Sequence, residues 1–78
     1  MEELAKAEIE RIALVIEECA EVQQVACKIL RFGYDNRRDP EGDDNRRVLE
    51  TELGDLKYAI QLMISRKDVD ESAIEFYS

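Results

Sequence analysis

The sequence predicts an all-α fold, with two long antiparallel helices and a short C-terminal helix in a single domain, residues 1–78. Two long stretches repeat apolar residues every three and four positions, which is the period of an amphipathic helix. The segment between them holds the only proline and two of the three glycines, as a loop does. Because so short a chain removes only about 60% of its unfolded surface from water, we expect oligomerisation to complete a four-helix-bundle-like core.

The first helix is predicted over about residues 4–31, where Ile9 and Ile16 belong to the apolar repeat. The loop is predicted over residues 32–44, which are rich in glycine, aspartate and asparagine. Gly33 stands where a residue in a left-handed conformation commonly ends a helix. We therefore expect the first helix to stop at this glycine.

The second helix is predicted over about residues 45–66, and Gly54 is the one weak helix former within its apolar repeat. After a turn, a short third helix is predicted over about residues 69–76. Asp and Asn side chains are common caps, because they accept hydrogen bonds from the unpaired N–H groups of a first turn. The candidate caps are Asp44 or Asn45 for the second helix and Asp68 or Asp70 for the third.

The composition excludes several classes of chemistry. The chain has no histidine, so Ser-His and Cys-His nucleophiles and imidazole-ligated zinc or di-iron sites are impossible. Its 11 Lys and Arg against 19 Asp and Glu give a net charge of −8, which argues against binding a nucleic-acid backbone. No run of about 18 apolar residues and no leader-like segment occurs, so we expect no membrane association.

Cys19 and Cys27 fall on the same predicted helix, eight residues apart. The corresponding rise of roughly 12 Å is too long for a disulfide between them. Two cysteines that form no bridge suit a reducing compartment, so a cytoplasmic protein is expected. We expect both side chains to be small buried hydrophobes and not a reactive thiol pair.

One carboxylate on each long helix projects from the middle of its apolar arc. At about 100° per residue, apolar residues lie roughly 20° to either side of Glu18 on the first helix and of Glu52 on the second. Glu21 and Asp55 follow three residues later, roughly 60° round their helices. Each helix therefore presents two carboxylates on or beside its buried face.

An unpaired buried carboxylate is unfavourable, so something positive is expected between the two pairs. In an antiparallel hairpin the four carboxylates converge, with no Lys or Arg among them. Carboxylate oxygens without nitrogen or sulfur ligands suit Mg²⁺, or alternatively Mn²⁺. Two other readings stay open: Lys or Arg of a second subunit neutralises the carboxylates, or the side chains reach water at a helix end.

The residues around these carboxylates resemble a known family. The sequences EECAE at 17–21 and ELGD at 52–55 are similar to the EExxE and ExxD signature of the MazG-like nucleotide pyrophosphohydrolases, an all-α superfamily. The longer phrases EECAEVQQVACKILRFG and NRRVLETELGDLKYAI resemble its small, often phage-encoded branch. The resemblance covers roughly residues 12–64, which is most of the chain.

The resemblance implies a Mg²⁺-dependent enzyme that hydrolyses the α–β phosphoanhydride of a nucleoside or deoxynucleoside triphosphate to the monophosphate and pyrophosphate. Water is the nucleophile. Carried over position by position, the family's metal ligands fall on Glu18, Glu21, Glu52 and Asp55. The implied catalytic residues are Glu17 and Glu18, with Glu17 as an outer carboxylate that orients or deprotonates the water.

Lys28, Arg31 and Asn45 are candidate substrate-binding residues. Lys28 lies about two turns beyond Glu21 on nearly the same side, and Arg31 opens the loop. For both, a solvated helix side chain is an equally good interpretation. Asn45 projects roughly 20° from Glu52, two turns earlier, but helix capping explains it as well.

The remaining basic and aromatic residues near the loop have simpler explanations. Arg37 and Arg38 are candidates for binding the remaining phosphate charge, but loop solubility is the better interpretation of both. Phe32, Tyr34 and Tyr58 are candidate groups for stacking on a base, but core packing is preferred for Phe32 and Tyr58.

A non-catalytic acidic helical module, which regulates a partner or mimics DNA, is the competing class. A mimic needs its charge outward, so it has no use for Glu18 and Glu52 on a buried face. In either class, apolar arcs that span about half of each helix exceed what one partner helix can bury. This favours a homodimer or a homotetramer.

Overall fold

The computed structural model describes residues 2–78, which form three α-helices: α1 (Lys6–Phe32), α2 (Asn45–Ser65) and α3 (Glu71–Tyr77). The prediction of an all-α fold with two long helices and a short C-terminal one is confirmed. The helix ends differ from the predicted ones by at most two residues, and the start of α2 agrees, because apolar periodicity is weakest in the terminal turns. No helix within this described part combines the length and the apolar character that a membrane span needs.

Caps account for the observed helix ends. Gly33 follows α1 with a φ of 86°, a conformation that favours glycine, and its N–H donates to the carbonyl four residues earlier. Asp44 caps α2 by accepting a hydrogen bond of 2.9 Å from the N–H of Arg47. Asp70 caps α3 in the same way. Asn45, the other candidate at α2, is instead its first helical residue.

α1 and α2 pack antiparallel and form a helical hairpin whose closed end is the loop. The N–H of Asn45 donates to the Asn36 carbonyl at 3.0 Å, and the N–H of Arg46 donates to the Tyr34 carbonyl at 2.9 Å. These bonds hold the loop against the first turn of α2. The loop is therefore a folded part of the hairpin and not a slack connection.

An ion pair between Arg11 and Asp68 joins the helices at the open end of the hairpin. The guanidinium donates two hydrogen bonds to the carboxylate, at 2.5 and 2.8 Å, and the two side chains are only 16% and 11% exposed. Hydrogen bonding to Arg11 lowers the pKa of Asp68. Asp68 therefore links α1 to the turn that follows α2, whereas the cap of α3 is supplied by its other candidate, Asp70.

The hairpin has a very small core, since Val25 and Ala59 are its only buried apolar residues in the described part of the chain. Phe32 is 60% exposed and Tyr58 is 64% exposed. The core-packing interpretation of these two aromatics is therefore wrong for the single chain. Two packed helices form one layer, so each helix buries only the narrow stripe that faces the other.

One side of the hairpin is an exposed apolar face, which we define by Ile9, Ile12, Ile16, Cys19 and Leu53. From residue 9 to residue 30, no charged residue of α1 projects on this side of the helix, within an arc of roughly 140° that contains the three isoleucines. On each helix the apolar face lies in one direction of rotation from the buried stripe, and Glu21 or Asp55 lies in the other direction. Because the helices are antiparallel, the same direction of rotation leads to the same side of the hairpin on both. The apolar face and the side chains of Glu21 and Asp55 consequently lie on opposite sides of the hairpin.

Both cysteines are exposed free thiols, so the prediction that they are buried is wrong for the single chain. Cys19 lies within the apolar face, and Cys27 lies two turns further along the same side of α1. Their positions do suit small apolar residues, but no second layer covers them here.

Candidate metal centre

Two carboxylates from each long helix meet halfway along the hairpin. One oxygen from each of Glu18, Glu21, Glu52 and Asp55 lies within 4.8 Å of all the others. The three-residue spacing places each pair on adjacent turns of one side of its helix, and antiparallel packing brings the two pairs opposite each other. The structure thus brings together the four carboxylates whose positions on the helices predicted their convergence.

The four carboxylates, which we call the acidic cluster, have an inner and an outer half. Glu18 and Glu52 are half-buried between the helices, whereas Glu21 and Asp55 are exposed. The Oε2 atoms of Glu18 and Glu52 are buried and have no hydrogen-bond partner. A buried oxygen without a donor is unfavourable, and native proteins rarely keep one without a ligand, an ion or water to satisfy it.

No Lys or Arg of the described residues 2–78 forms an ion pair with the acidic cluster. This excludes neutralisation of the inner carboxylates by a basic side chain of that part of the chain. The ion pairs that do form lie elsewhere and are Arg11–Asp68, Arg46–Asp35 and Arg47–Glu50.

Hydrogen bonding within the cluster, burial and neighbouring negative charge together make the inner carboxylates weak acids. Hydrogen bonding with Glu21, with burial as the next cause, raises the pKa of Glu52 to about 7. Burial, followed by the charge of Glu21, raises the pKa of Glu18. Carboxylates this close cannot all ionise without a counter-charge, so the cluster alone retains a proton near neutral pH. A divalent cation would displace that proton and satisfy the buried oxygens.

The donor set fits a hard divalent cation. All four groups offer carboxylate oxygens, with no sulfur or nitrogen among them, as Mg²⁺ and Mn²⁺ prefer. Two of the oxygens are buried without partners, which is the deficit that a cation would fill.

Glu17 lies beside the acidic cluster but not in it. Its side chain is exposed, and it is not one of the four residues whose oxygens converge. Its charge nevertheless reaches the cluster, because it contributes to the raised pKa of Glu18. This position, outside the cluster but next to it, is compatible with the outer role that the resemblance implies.

A cavity of about 570 Å³ lies between the acidic cluster and the loop, and Lys28, Arg31 and Asn45 all line it. Val25 and Val48, which also line it, stand about one helical turn from the carboxylates. The three predicted substrate-binding residues therefore share one cavity next to the cluster. The side-chain amide of Asn45 also donates to the Gly33 carbonyl at 3.0 Å.

Four further residues line this cavity: Asn36 and Asp43, which sequence reasoning missed, and Phe32 and Arg38, which it named but did not place there. Three of them lie in the loop and one is the last residue of α1. The solubility interpretation is wrong for Arg38, because its side chain lines the cavity. The sequence signal was the Arg37-Arg38 pair itself, but a loop has no period that would tell which arginine points inward.

No family model, curated protein or solved structure matches this chain. The resemblance of EECAE and ELGD to the MazG-like signature therefore stays a prediction from those residues. The all-α hairpin and the convergence of the four carboxylates are observed independently of it.

Proposed function

We propose that the protein is a Mg²⁺-dependent nucleoside triphosphate pyrophosphohydrolase, which converts a nucleoside or deoxynucleoside triphosphate to the monophosphate and pyrophosphate. The convergence of four carboxylates, two of them with buried unpartnered oxygens, is the observation that carries this proposal. The resemblance to MazG-like enzymes supports it. So does the cavity with basic side chains beside the cluster.

Glu18, Glu21, Glu52 and Asp55 would hold the cation. Bound there, Mg²⁺, or Mn²⁺ in its place, would offset the charge of phosphate oxygens and lower the pKa of water. Other residues of the chain bind the substrate. Lys28, Arg31 and Asn45 contact the substrate from the neighbouring cavity, and the hairpin orients these groups toward one another.

The reaction is a hydrolysis that needs neither histidine nor a covalent intermediate. A water oxygen bonds to the α-phosphorus, and the bond from that phosphorus to the α–β bridging oxygen breaks. The bridging oxygen and its electron pair leave with pyrophosphate. Glu17 is the residue proposed to accept the proton of the attacking water, because it is an exposed carboxylate next to the cluster. Glu18 is proposed to act in catalysis as well as in binding the cation.

Release of pyrophosphate, and not of orthophosphate, from a panel of nucleoside and deoxynucleoside triphosphates tests this function. We expect turnover with Mg²⁺ present and its loss after EDTA, with recovery when Mg²⁺ is restored. The assay is best run at protein concentrations that support self-association. Absence of metal-dependent turnover on every triphosphate would contradict the proposal and favour the non-catalytic acidic module.

We also propose that two or four chains associate through the apolar face. The chain exposes 6519 Å², about 1,600 Å² more than a folded monomer of its mass is expected to expose. Two chains that covered this excess would bury about 3,200 Å² in total, within the range of obligate homodimers. Pairing of one apolar face with another would also create a four-helix core.

The change of Ile16 to lysine tests this association, since it places a charge at the centre of the apolar face. We expect the mass in solution to fall to that of the 9.1 kDa monomer, together with a lower melting temperature, because the charge would be buried without a partner. Light scattering and thermal unfolding measure the two effects. Gln24→Lys is the matched control, because it adds the same charge to an exposed position of α1 outside the apolar face, roughly 80° round the helix from Ile16. A monomeric wild-type protein at every concentration would contradict the proposal.

A further inference from the structure

The cavity between the acidic cluster and the loop carries positive charge in a strongly acidic protein. Lys28, Arg31 and Arg38 line it together with one carboxylate, that of Asp43, although the whole chain has a net charge of −8. The remaining polar side chains of the lining, Asn36 and Asn45, are neutral amides. We call this the basic cavity. Three cations against one carboxylate give this lining a local excess of positive charge that favours an anion.

The three cations of the basic cavity are not committed to carboxylates of the chain. Among residues 2–78, none of Lys28, Arg31 and Arg38 forms an ion pair, whereas Arg11, Arg46 and Arg47 each do. Arg31 instead lies over the ring of Phe32, 5.9 Å from its centroid, which leaves its N–H groups available to a ligand.

Hydrogen bonds on both sides of Arg38 fix the loop that carries it. Three bonds secure the segment before it: two backbone bonds to the start of α2 and the bond from the Asn45 amide to the Gly33 carbonyl. The guanidinium of Arg37 closes the segment after it by donating to the Gly42 carbonyl at 2.7 Å. Arg37 therefore shapes the loop, and Arg38 faces the cavity. A cation on a secured loop loses less conformational entropy when it binds an anion.

We infer that the basic cavity binds the β- and γ-phosphates of the metal-bound triphosphate and then the departing pyrophosphate, and that Arg38 is a phosphate-binding residue. This inference rests on the proposed function, since it divides the substrate between the acidic cluster and the cavity. The acidic cluster holds the cation next to the bond that is cleaved, and the basic cavity binds the phosphate charge beyond that bond. Arginine suits this task because its planar fork binds two phosphate oxygens at once.

The orientation of the bound substrate follows from the positions of the cations that form no ion pair. Toward the loop, the basic cavity begins about one helical turn from the carboxylates. Toward the open end of the hairpin, Arg11 is already bound to Asp68. A neutral nucleoside gains little from three cations, whereas two terminal phosphates gain charge-assisted hydrogen bonds from each. The polyphosphate end therefore points toward the loop, and the nucleoside lies on the other side of the cluster.

Direct binding of inorganic pyrophosphate in the presence of Mg²⁺, measured by titration calorimetry, tests the inference without turnover. We expect Arg38→Gln and Lys28→Gln each to weaken binding by on the order of tenfold, and Arg38→Lys to recover part of the loss. Arg66→Gln is the matched control, because it removes an arginine outside the basic cavity, at the end of α2. It should leave the affinity within about twofold of wild type. Circular dichroism checks that each variant is helical.

The outcomes separate this inference from the proposed function. Pyrophosphate binding that is unchanged in both Arg38→Gln and Lys28→Gln, in a protein that still hydrolyses triphosphates, would overturn the inference alone. Weaker binding of a nucleoside, but not of pyrophosphate, in these variants would overturn it too, because the cavity would then hold the nucleoside. Weaker pyrophosphate binding in these variants, together with a wild-type protein that hydrolyses no triphosphate, would support the basic cavity and overturn the proposed function.

Discussion

Replacing Glu52 by glutamine is expected to abolish pyrophosphate release and, at the same time, to raise the melting temperature of the metal-free protein. The two effects have one cause. Glu52 holds a half-buried carboxylate against three others, with an oxygen that has no partner, so its charge is unfavourable until a cation arrives. Glutamine keeps the shape and removes the charge. The gain in stability and the loss of cation binding therefore come from the same substitution.

Initial-rate assays and thermal unfolding in EDTA measure the two effects side by side. We expect turnover to fall by roughly a thousandfold or more, and Glu18→Gln to behave in the same way. Glu3→Gln is the matched control, because it removes one negative charge from the exposed segment before α1. It should change neither property appreciably. Unfolding of both Glu18→Gln and Glu52→Gln would show instead that the inner carboxylates are needed for the fold, as in a buried ion pair with a second subunit.

The stability of the metal-free protein is expected to fall as the pH rises from about 4.5 to about 7. Glu52 has its pKa raised from 4.5 to about 7 on folding, and the pKa of Glu18 is raised as well. In this window the folded state binds more protons than the unfolded state, so each rise in pH favours unfolding. The stabilising contribution is complete below the unfolded pKa and is lost as the pH passes through the folded one. Above about pH 7 the decline should level off.

Mg²⁺ should reverse this dependence, because it binds the ionised carboxylates and stabilises the folded state more strongly as they deprotonate. Melting temperatures at a series of pH values, with EDTA or with excess Mg²⁺, measure both slopes. The control is Glu52→Gln in EDTA, which should show a flatter profile than wild type because the group with the largest shift is gone. Identical profiles for wild type and Glu52→Gln would contradict the assignment of the titration to the cluster.

The helices and the acidic cluster were predictable because both follow from the period of a helix. Glu18 and Glu52 stand at the centres of apolar arcs, and a helical wheel converts that spacing directly into direction. Antiparallel packing then requires only a short loop. Asp44 and Gly33 were predictable for a related reason, since their roles depend on local backbone chemistry.

What the sequence did not reveal depends on contacts between distant parts of the chain. The wheel places Arg11 roughly 20° from Glu18, inside the same arc, but does not identify Asp68 as its partner 57 residues away. Arg38 and Asp43 reach the basic cavity through the path of the loop, which has no period. The exposure of Tyr58 and Cys19 was missed because apolar patterns show that a face is to be covered, and not which chain covers it.

The Arg11–Asp68 pair has a consequence for the carboxylates further along the helices. Neighbouring carboxylates at mid-length repel one another as they ionise and tend to splay a two-helix hairpin, yet here the loop closes one end and this ion pair joins the other. The repulsion therefore acts between helices that are held together at both ends. We expect a cation to meet ligands that are already close together, and relief of their repulsion to add to its affinity.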